Sequence, residues 1–178
     1  RGAVVDAAMV DGAGLLSALF QGLAARGMWQ DQRGANLLDG GAPFYRCYAC
    51  ADGGHVAVGA LEPRFYAALL AGLDIPPSEA VQYDFAGWPT LHRRFAETFA
   101  GHPRDHWADH FAGTEACVTP VLSWAEAQAH PHDAARDRFT GQRPRQPGPG
   151  PRFGGDATPS GTPEALTDAR AALARWGG

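Results

Sequence analysis

The spacing of apolar and polar residues predicts a long helix at the start of the chain. Between Val4 and Arg26, apolar residues recur at steps of three and four, which is the pattern of a helix that buries one face. Gly12, Gly14 and Gly22 lie inside this stretch, and each costs about 1 kcal/mol relative to alanine in a helix interior. We therefore expect this helix to need another element packed against it.

Two extended segments, Phe44–Cys50 and His55–Ala60, predict a β-hairpin. The intervening sequence, Ala51–Gly54, contains the Asp-Gly-Gly run that is typical of tight turns. After the second segment, Pro63 suits the first position of a helix because it needs no amide hydrogen bond there. The sequence therefore places Glu62 at the entrance of a helix that ends near residue 73.

The remainder of the chain predicts further helices, one short strand and an irregular segment. Helices are expected after Trp88, over Arg104–Phe111 and after the capping-box sequence Ser123–Glu126, and a strand over Ala116–Leu122. Residues 139–163 are rich in Pro, Gly, Arg and Gln, so we expect a linker or an extended surface segment there. A terminal helix is predicted from Thr162, with Leu166, Leu173 and Trp176 along it.

These elements predict an α+β fold in three parts. Residues 38–129 form a compact α+β unit, whereas residues 1–37 and 130–178 have the pattern of pieces that pack on something else. The chain begins at Arg1, without Met, in an apolar run that is already under way. We therefore expect it to be part of a longer protein.

Composition narrows the classes of function. The 178 residues carry 15 basic and 19 acidic side chains, a net charge of −4, and every basic residue is arginine. An acidic chain without a basic run is a poor candidate for binding nucleic acid or an anionic membrane, and the lack of lysine excludes a Walker-type phosphate loop. No apolar stretch reaches the roughly 18 residues of a membrane span. We expect a cytoplasmic protein without a signal peptide.

Two groups of residues of the types that bind metals are more simply explained without a metal. Cys47 and Cys50 form a C-x-x-C pair, but residues three apart on a strand point to opposite faces, so two unpaired cysteines are favoured over a zinc or redox pair. His102, His106 and His110 recur at steps of four, so that His106 and His110 share a helix face. The metal-binding motif H-E-x-x-H is absent and no third ligand is indicated, so a solvated helix face is favoured. We predict no metal site.

Two places carry candidate site residues. Glu62 follows an apolar strand at the positive end of a helix, so it is either a helix-entry carboxylate or a site carboxylate at a strand-to-helix turn. Its neighbour Leu61 is apolar and would suit an acyl pocket. In the loop before the hairpin, Gly40 and Gly41 would let the backbone approach a ligand or partner closely. An ordinary loop with a buried pair of leucines at 37–38 explains that sequence as well.

The motifs together resemble the α-methylacyl-CoA racemases of the family III CoA-transferase group. The resemblance covers residues 2–139 in the family's order and fades afterwards, apart from Gly150–Phe153. It is carried by Val4–Gly12, Gly34–Tyr45, Ala51–Gly53, Val56–Tyr66, Ala116–Leu122 and His130–His132.

This resemblance implies an isomerase that inverts the α-carbon of a 2-methylacyl-CoA thioester by 1,1-proton transfer. Two proton carriers are then required, one on each face of the carbon, together with donors that stabilise the enolate. In the family the carriers are a His and an Asp, expected upstream of residue 1. CoA is part of the substrate, so no separate cofactor is implied. The alternatives are a family III CoA-transferase with an acyl-aspartyl intermediate, or a truncated fragment that is inactive by itself.

The resemblance also implies an architecture. Residues 38–129 correspond to the family's small domain, 1–37 to the end of the large domain and a linker helix, and 130–178 to a segment that returns to the absent large domain. Family dimers interlock, so the small domain of one subunit closes the active site of the other. A homodimer is therefore the implied partner state, with no nucleic acid and no membrane.

Individual site residues follow from the same resemblance. Glu62 matches a glutamate that reaches the partner's catalytic pair, which makes it the candidate catalytic residue of this chain. Tyr45 and Leu61 match positions that line the acyl region, and Gly40 and Gly41 complete the expected substrate-binding set. Arg46 departs from the family, which usually has Asp there. The short glycine loop at 39–43 favours the racemase branch over the transferases.

Overall fold

A computed structural model describes residues 2–141 and 145–148 of the chain. It divides the chain into two units, the first ending at Val121 and the second beginning at Leu122. The terminal helix predicted from Thr162 and the family-like segment Gly150–Phe153 lie outside the described residues. Among the described residues, no helix is both long and apolar enough to cross a bilayer.

The predicted N-terminal helix is present as two shorter ones, α1 (Met9–Leu16) and α2 (Ala18–Ala25). Ser17 separates them, and its hydroxyl donates a hydrogen bond to the carbonyl of Gly14 at 2.7 Å. Such back-bonding by serine competes with the regular helix ladder and bends the backbone. Neither helix contains a buried residue, and Met9 is 92% exposed. The packing partner that the apolar pattern predicts is thus not found among the described residues.

The hairpin is confirmed as part of a three-stranded antiparallel sheet. Strands β1 (Tyr45–Ala49) and β2 (His55–Gly59) pair with each other, and β2 also pairs with β3 (Val118–Pro120). The turn is fixed by Asp52, whose carboxylate accepts hydrogen bonds from the amides of Gly54 at 3.0 Å and Arg104 at 3.2 Å. The hairpin turn is therefore hydrogen-bonded to Arg104, the first residue of a later helix over Arg104–Phe111.

One face of the sheet packs against helices and forms the core of the first unit. The helices are α3 (Pro63–Gly72), α4 (Trp88–Phe99) and α5 (Arg104–Phe111), with a short 3-10 turn over Pro77–Glu79 between the first two. Side chains alternate along the strands, so that Tyr48, Val56 and Val58 are buried while Tyr45 and Cys47 are exposed. The coarse prediction of an α+β fold with a small antiparallel sheet is confirmed.

Phe44 is a central aromatic residue of this core. It is fully buried directly before β1, and its ring meets those of Tyr66, Tyr83 and Trp88 edge-on at centroid distances of 5.2–6.0 Å. Its carbonyl accepts a hydrogen bond from the amide of Ala60 at 2.9 Å. Phe44 therefore joins the hairpin to α3 and α4 at the end where the second strand leaves the sheet.

The described residues of the second unit form two short helices and a two-stranded ladder. The elements are α6 (Trp124–Ala129), α7 (Pro131–Ala135), β4 (Phe139–Thr140) and β5 (Gln146–Pro147). The predicted capping box is formed, because Ser123 and Glu126 each accept a hydrogen bond from the other's amide. The pairing of β4 with β5 differs from the expectation of little regular structure after residue 139. Two residues per strand are enough to form a ladder within a proline-rich sequence.

Candidate functional site

Glu62 is the N-cap residue of α3, and its side chain is exposed. Its backbone is extended (φ −76°, ψ 143°), as expected at an N-cap, but its carboxylate accepts no hydrogen bond from the amides of the helix. The simplest structural role of a helix-entry carboxylate, capping by its side chain, is therefore not realised here. The carboxylate is exposed and therefore accessible to another group.

Tyr45 and Leu61 lie at the same end of the hairpin as Glu62. Tyr45 is opposite Gly59 in the strand ladder, and the amide of Leu61 donates to the carbonyl of Gly59 at 3.1 Å. Tyr45 is 37% exposed, and Leu61 is partly buried against the core. The register of the hairpin thus brings together a carboxylate, a phenol and an aliphatic side chain that are 16 and 17 residues apart in sequence.

The backbone that carries Glu62 is held by two residues that sequence analysis did not identify. The carbonyl of Leu61 accepts hydrogen bonds from the side-chain amide of Gln82 at 2.9 Å and the hydroxyl of Tyr83 at 3.2 Å. Gln82 is itself buried, and its carbonyl accepts from the indole of Trp88 at 2.9 Å. The two bonds to Leu61 join residues more than 20 positions apart, for which the sequence carries no periodic signal.

Cys117 is a further neighbour of this site that the sequence did not reveal. It adopts a left-handed backbone (φ 53°), which is rare for cysteine, and its carbonyl accepts from the amide of Gly59 at 2.9 Å. Burial and the nearby Glu62 carboxylate raise the pKa of the Cys117 thiol. The thiol is therefore protonated at neutral pH and does not act as a nucleophile there.

The chemistry available at this end of the sheet is that of the exposed Glu62 carboxylate, with an aliphatic residue (Leu61) beside it in sequence and a phenolic one (Tyr45) on the paired strand. Inversion at carbon needs two proton carriers on opposite faces of the reacting atom. The histidine of the hairpin, His55, lies at the other end of β2, opposite Ala49. The geometry around Glu62 can therefore supply half of a proton-transfer site.

The loop that contains Gly40 and Gly41 is organised by Asn36 and Asp39. The amide group of Asn36, a residue only 3% exposed, donates to Asp39 at 2.8 Å and to the carbonyl of Gln30 at 2.9 Å. The Asp39 carboxylate also accepts from the backbone amides of three residues at 2.9–3.1 Å. The expected buried pair of leucines at 37–38 is thus not found: Asn36 is buried, whereas Leu37 is partly buried and Leu38 is exposed.

The conformation of the loop itself requires glycine at positions 40 and 41. Gly40 has φ +88°, which side-chain-bearing residues rarely adopt. A Cβ at Gly41 would lie 2.7 Å from the backbone nitrogen and oxygen of Asn36. The close approach that glycine permits at this position is therefore to the loop itself. Contact of either glycine with a substrate stays a prediction.

The Asp39 network makes the stability of the first unit depend on pH. Burial works to raise the pKa of Asp39, but hydrogen bonds from Asn36, Gly41 and Gly34 outweigh it and hold the pKa below its ordinary value. Because the folded-state pKa is lowered, the stabilisation is present above the ordinary pKa and is lost as pH falls through the folded value. We expect Asp39→Asn to destabilise the chain by about 1–2 kcal/mol at neutral pH, as measured by urea denaturation.

Two comparisons test that expectation. The difference between wild type and Asp39→Asn should shrink toward zero as the pH is lowered below the folded-state pKa of the carboxyl group. Asp31→Asn, a change at an exposed aspartate of the same loop, should leave stability within about 0.5 kcal/mol of wild type. An equal loss in both variants, or a pH-independent difference, would show that the network does not stabilise the loop.

The ligand-type residues of the C-x-x-C pair and of the histidine series lie in different parts of the first unit. Cys47, on β1, is exposed, whereas Cys50, directly after β1, is buried, and neither thiol is in a disulfide. The imidazole of His102, which precedes α5, stacks on that of His106, and His106 stacks on His110 within α5, with successive ring centroids 4.1 and 6.1 Å apart. Within residues 2–141 and 145–148, no group of three or more such side chains is placed to hold a metal ion.

Comparison with known proteins gives consistent matches over most of the chain. Residues 1–170 match the model of CoA-transferase family III. The chain is 45% identical over 152 residues to an alpha-methylacyl-CoA racemase of Mus musculus and 43% identical over 140 residues to one of Homo sapiens. These alignments cover 85% and 78% of this chain but 40% and 37% of the relatives. The resemblance found in the sequence is thereby confirmed.

A more distant relative carries a different name. A CaiB/baiF CoA-transferase family protein of Caenorhabditis elegans is 32% identical over 141 residues, which is 79% of this chain and 40% of that protein. The chain therefore spans about 40% of the length of the curated relatives it matches.

Proposed function

Because this chain belongs to CoA-transferase family III, we propose that it is part of an enzyme that inverts the α-carbon of 2-methylacyl-CoA thioesters by 1,1-proton transfer. The observation that carries this proposal is the 45% identity to an alpha-methylacyl-CoA racemase over 85% of the chain. The reaction requires removal of a proton from one face of the α-carbon and its return to the other. The thioester carbonyl takes up the negative charge between these two steps.

In this proposal Glu62 supports proton transfer, and Tyr45 and Leu61 line the acyl region of the substrate. Three observations support these roles: the three residues share one end of the hairpin, Glu62 is accessible, and its carboxylate does not cap its own helix. The bonds from Gln82 and Tyr83 to the carbonyl of Leu61 would keep that carboxylate in place. Gly40 and Gly41 are assigned to the substrate-facing loop.

The proposal extends to the architecture of the complete enzyme. Residues 38–129 serve as its small domain, 1–37 as the end of the large domain and a linker helix, and 130–178 as the segment that returns to the large domain. A catalytic His/Asp pair is supplied by residues outside this chain, across the interface of an interlocked homodimer. The incomplete coverage of the relatives and the exposed apolar residues of α1 and α2 support this arrangement. The 178 residues alone would then be inactive.

A family III CoA-transferase with an acyl-aspartyl intermediate is the second candidate. The match to the CoA-transferase family III model and the name of the Caenorhabditis elegans relative favour it. In that reaction an aspartate attacks the thioester carbonyl, CoA leaves, and the acyl group passes to an acceptor. The acceptor is thus an obligate co-substrate, which is not so for a racemase.

One experiment separates the two candidates. The complete polypeptide is incubated with a single enantiomer of a 2-methylacyl-CoA in deuterated water, with and without a free carboxylic acid as acceptor. A racemase should incorporate deuterium at the α-carbon and yield both enantiomers without the acceptor. Product that forms only with the acceptor, with no α-deuterium, would establish the transferase and refute the proposed isomerase activity.

A further inference from the structure

One cavity of the first unit borders the glycine loop of the proposed site, because Gly41 is among its lining residues, but its side chains are ones that the proposed reaction does not use. Its volume is about 440 Å³, which is within the range of sites for small molecules. Side chains from the loop after α2, from β1 and from the region around the start of α4 line it: Gln30, Gln32, Arg46, Phe85, Trp88 and His92. No aspartate or glutamate is among its lining residues.

Arg46 gives this cavity its charge. It follows Tyr45 on β1, so the two side chains point to opposite faces of the strand. One terminal nitrogen, Nη1, donates to the carbonyl of Gly40 at 3.0 Å, and the guanidinium lies 5.6 Å from the ring centroid of Tyr48. The Nε atom is buried and has no hydrogen-bond partner among the described residues. A buried donor without an acceptor is rare and calls for an explanation.

No carboxylate in the part of the chain that the structure describes forms an ion pair with Arg46. The ion pairs of the described residues join other arginines to their carboxylates, and the Asp39 carboxylate nearby is occupied by loop amides. The second titratable group that lines the cavity is His92. Burial and then the charge of Arg46 lower the pKa of His92, so its ring is neutral at pH 7. The cavity therefore presents one positive charge and no negative one.

We propose that this cavity binds a small organic carboxylate through the Nε and Nη2 edge of Arg46. These two nitrogens lie on one edge of the planar guanidinium, and their spacing matches the two oxygens of a carboxylate. Such a ligand supplies both the acceptor that Nε lacks and the counter-charge that the lining lacks. Phe85 and Trp88, whose rings lie 4.4 Å apart, offer an apolar wall for its body. One guanidinium neutralises a monoanion, whereas a phosphate dianion would leave an uncompensated negative charge in the cavity.

Benzoate tests this assignment in the 178-residue chain. Binding is followed by NMR through the indole resonance of Trp88 and the ring resonances of His92. We expect saturable shifts with benzoate and at least about tenfold weaker binding of benzamide, which has the same shape without the charge. Arg46→Gln should weaken benzoate by about tenfold or more, and Arg46→Lys should also weaken it because lysine keeps the charge but lacks the paired donors.

The matched control is Arg93→Gln, which removes an exposed arginine next to His92 that does not line the cavity. Its benzoate affinity should equal that of wild type. The proposal is overturned if wild type shows no saturable shift, if benzamide binds as tightly as benzoate, or if a folded Arg46 variant binds unchanged. Inorganic phosphate binding as tightly as benzoate would identify a general oxyanion site and refute the carboxylate assignment. The benzamide comparison needs no variant, so it holds even if Arg46→Gln fails to fold.

Discussion

In the complete polypeptide, Glu62→Gln is expected to slow the exchange of the substrate α-proton with deuterated water by about 100-fold, the scale of a lost acid–base group. Glutamine keeps the size and hydrogen-bonding capacity of the side chain but removes its negative charge and its ability to carry a proton. Exchange is measured by the loss of the α-proton NMR signal of a 2-methylacyl-CoA. Because Glu62 is exposed and does not cap α3 with its side chain, the fold should be unaffected.

Glu115→Gln is the matched control for that result. Glu115 is also exposed and pairs with Arg64 at 3.7 Å, a surface ion pair that is expected to contribute little to stability. Like that of Glu62, its carboxylate is close enough to raise the pKa of the Cys117 thiol. Its removal deletes one negative charge from the same region without touching the proposed site. Exchange at the wild-type rate in Glu62→Gln would remove this residue from the proposed site. An equal loss in both variants would point to a general charge effect.

Phe44→Ala should destabilise the chain by about 3–5 kcal/mol, because it removes a fully buried aromatic ring from the centre of the core. The ring contacts Tyr66, Tyr83 and Trp88, and each of these contacts would be replaced by a cavity that the surrounding helices can fill only partly. Urea denaturation followed by far-ultraviolet circular dichroism measures the change. A loss this large is a big fraction of the stability of a domain of this size.

Phe85→Ala is the control for the core substitution. The same atoms are removed, but the Phe85 side chain is 62% exposed and packs mainly against Trp88. We expect a loss of about 1 kcal/mol or less. Similar losses for the two phenylalanines would contradict the central position of Phe44, as would a loss below about 1 kcal/mol at Phe44 itself.

The elements that could be predicted from the sequence are those set by local rules. The hairpin follows from alternation around Asp-Gly-Gly, the start of α3 from Pro63, and the capping box from Ser123 and Glu126. The break at Ser17 was not predicted, because the apolar period continues across it. A hydroxyl bond to a carbonyl three residues earlier leaves no trace in that period.

The candidate site could be predicted only in part for a related reason. Glu62 and Leu61 are candidates from their place at a strand-to-helix turn and Tyr45 from the family resemblance, whereas the placement of all three at one end of the sheet depends on strand register, which sets Tyr45 opposite Gly59. The supports of the site, Gln82 and the left-handed backbone of Cys117, depend on contacts between distant segments. Nothing in the composition or spacing of a single sequence encodes such contacts.

The uncovered apolar side chains of α1 and α2 have a practical consequence for the chain in solution. Leu15, Leu16 and Leu19 are each at least 60% exposed. A contiguous exposed apolar patch favours association with other apolar surfaces in water. At high concentration, molecules of the chain would therefore self-associate through these helices. A dilution series then becomes part of every unfolding or titration experiment, because aggregation would mimic both added stability and loss of binding sites.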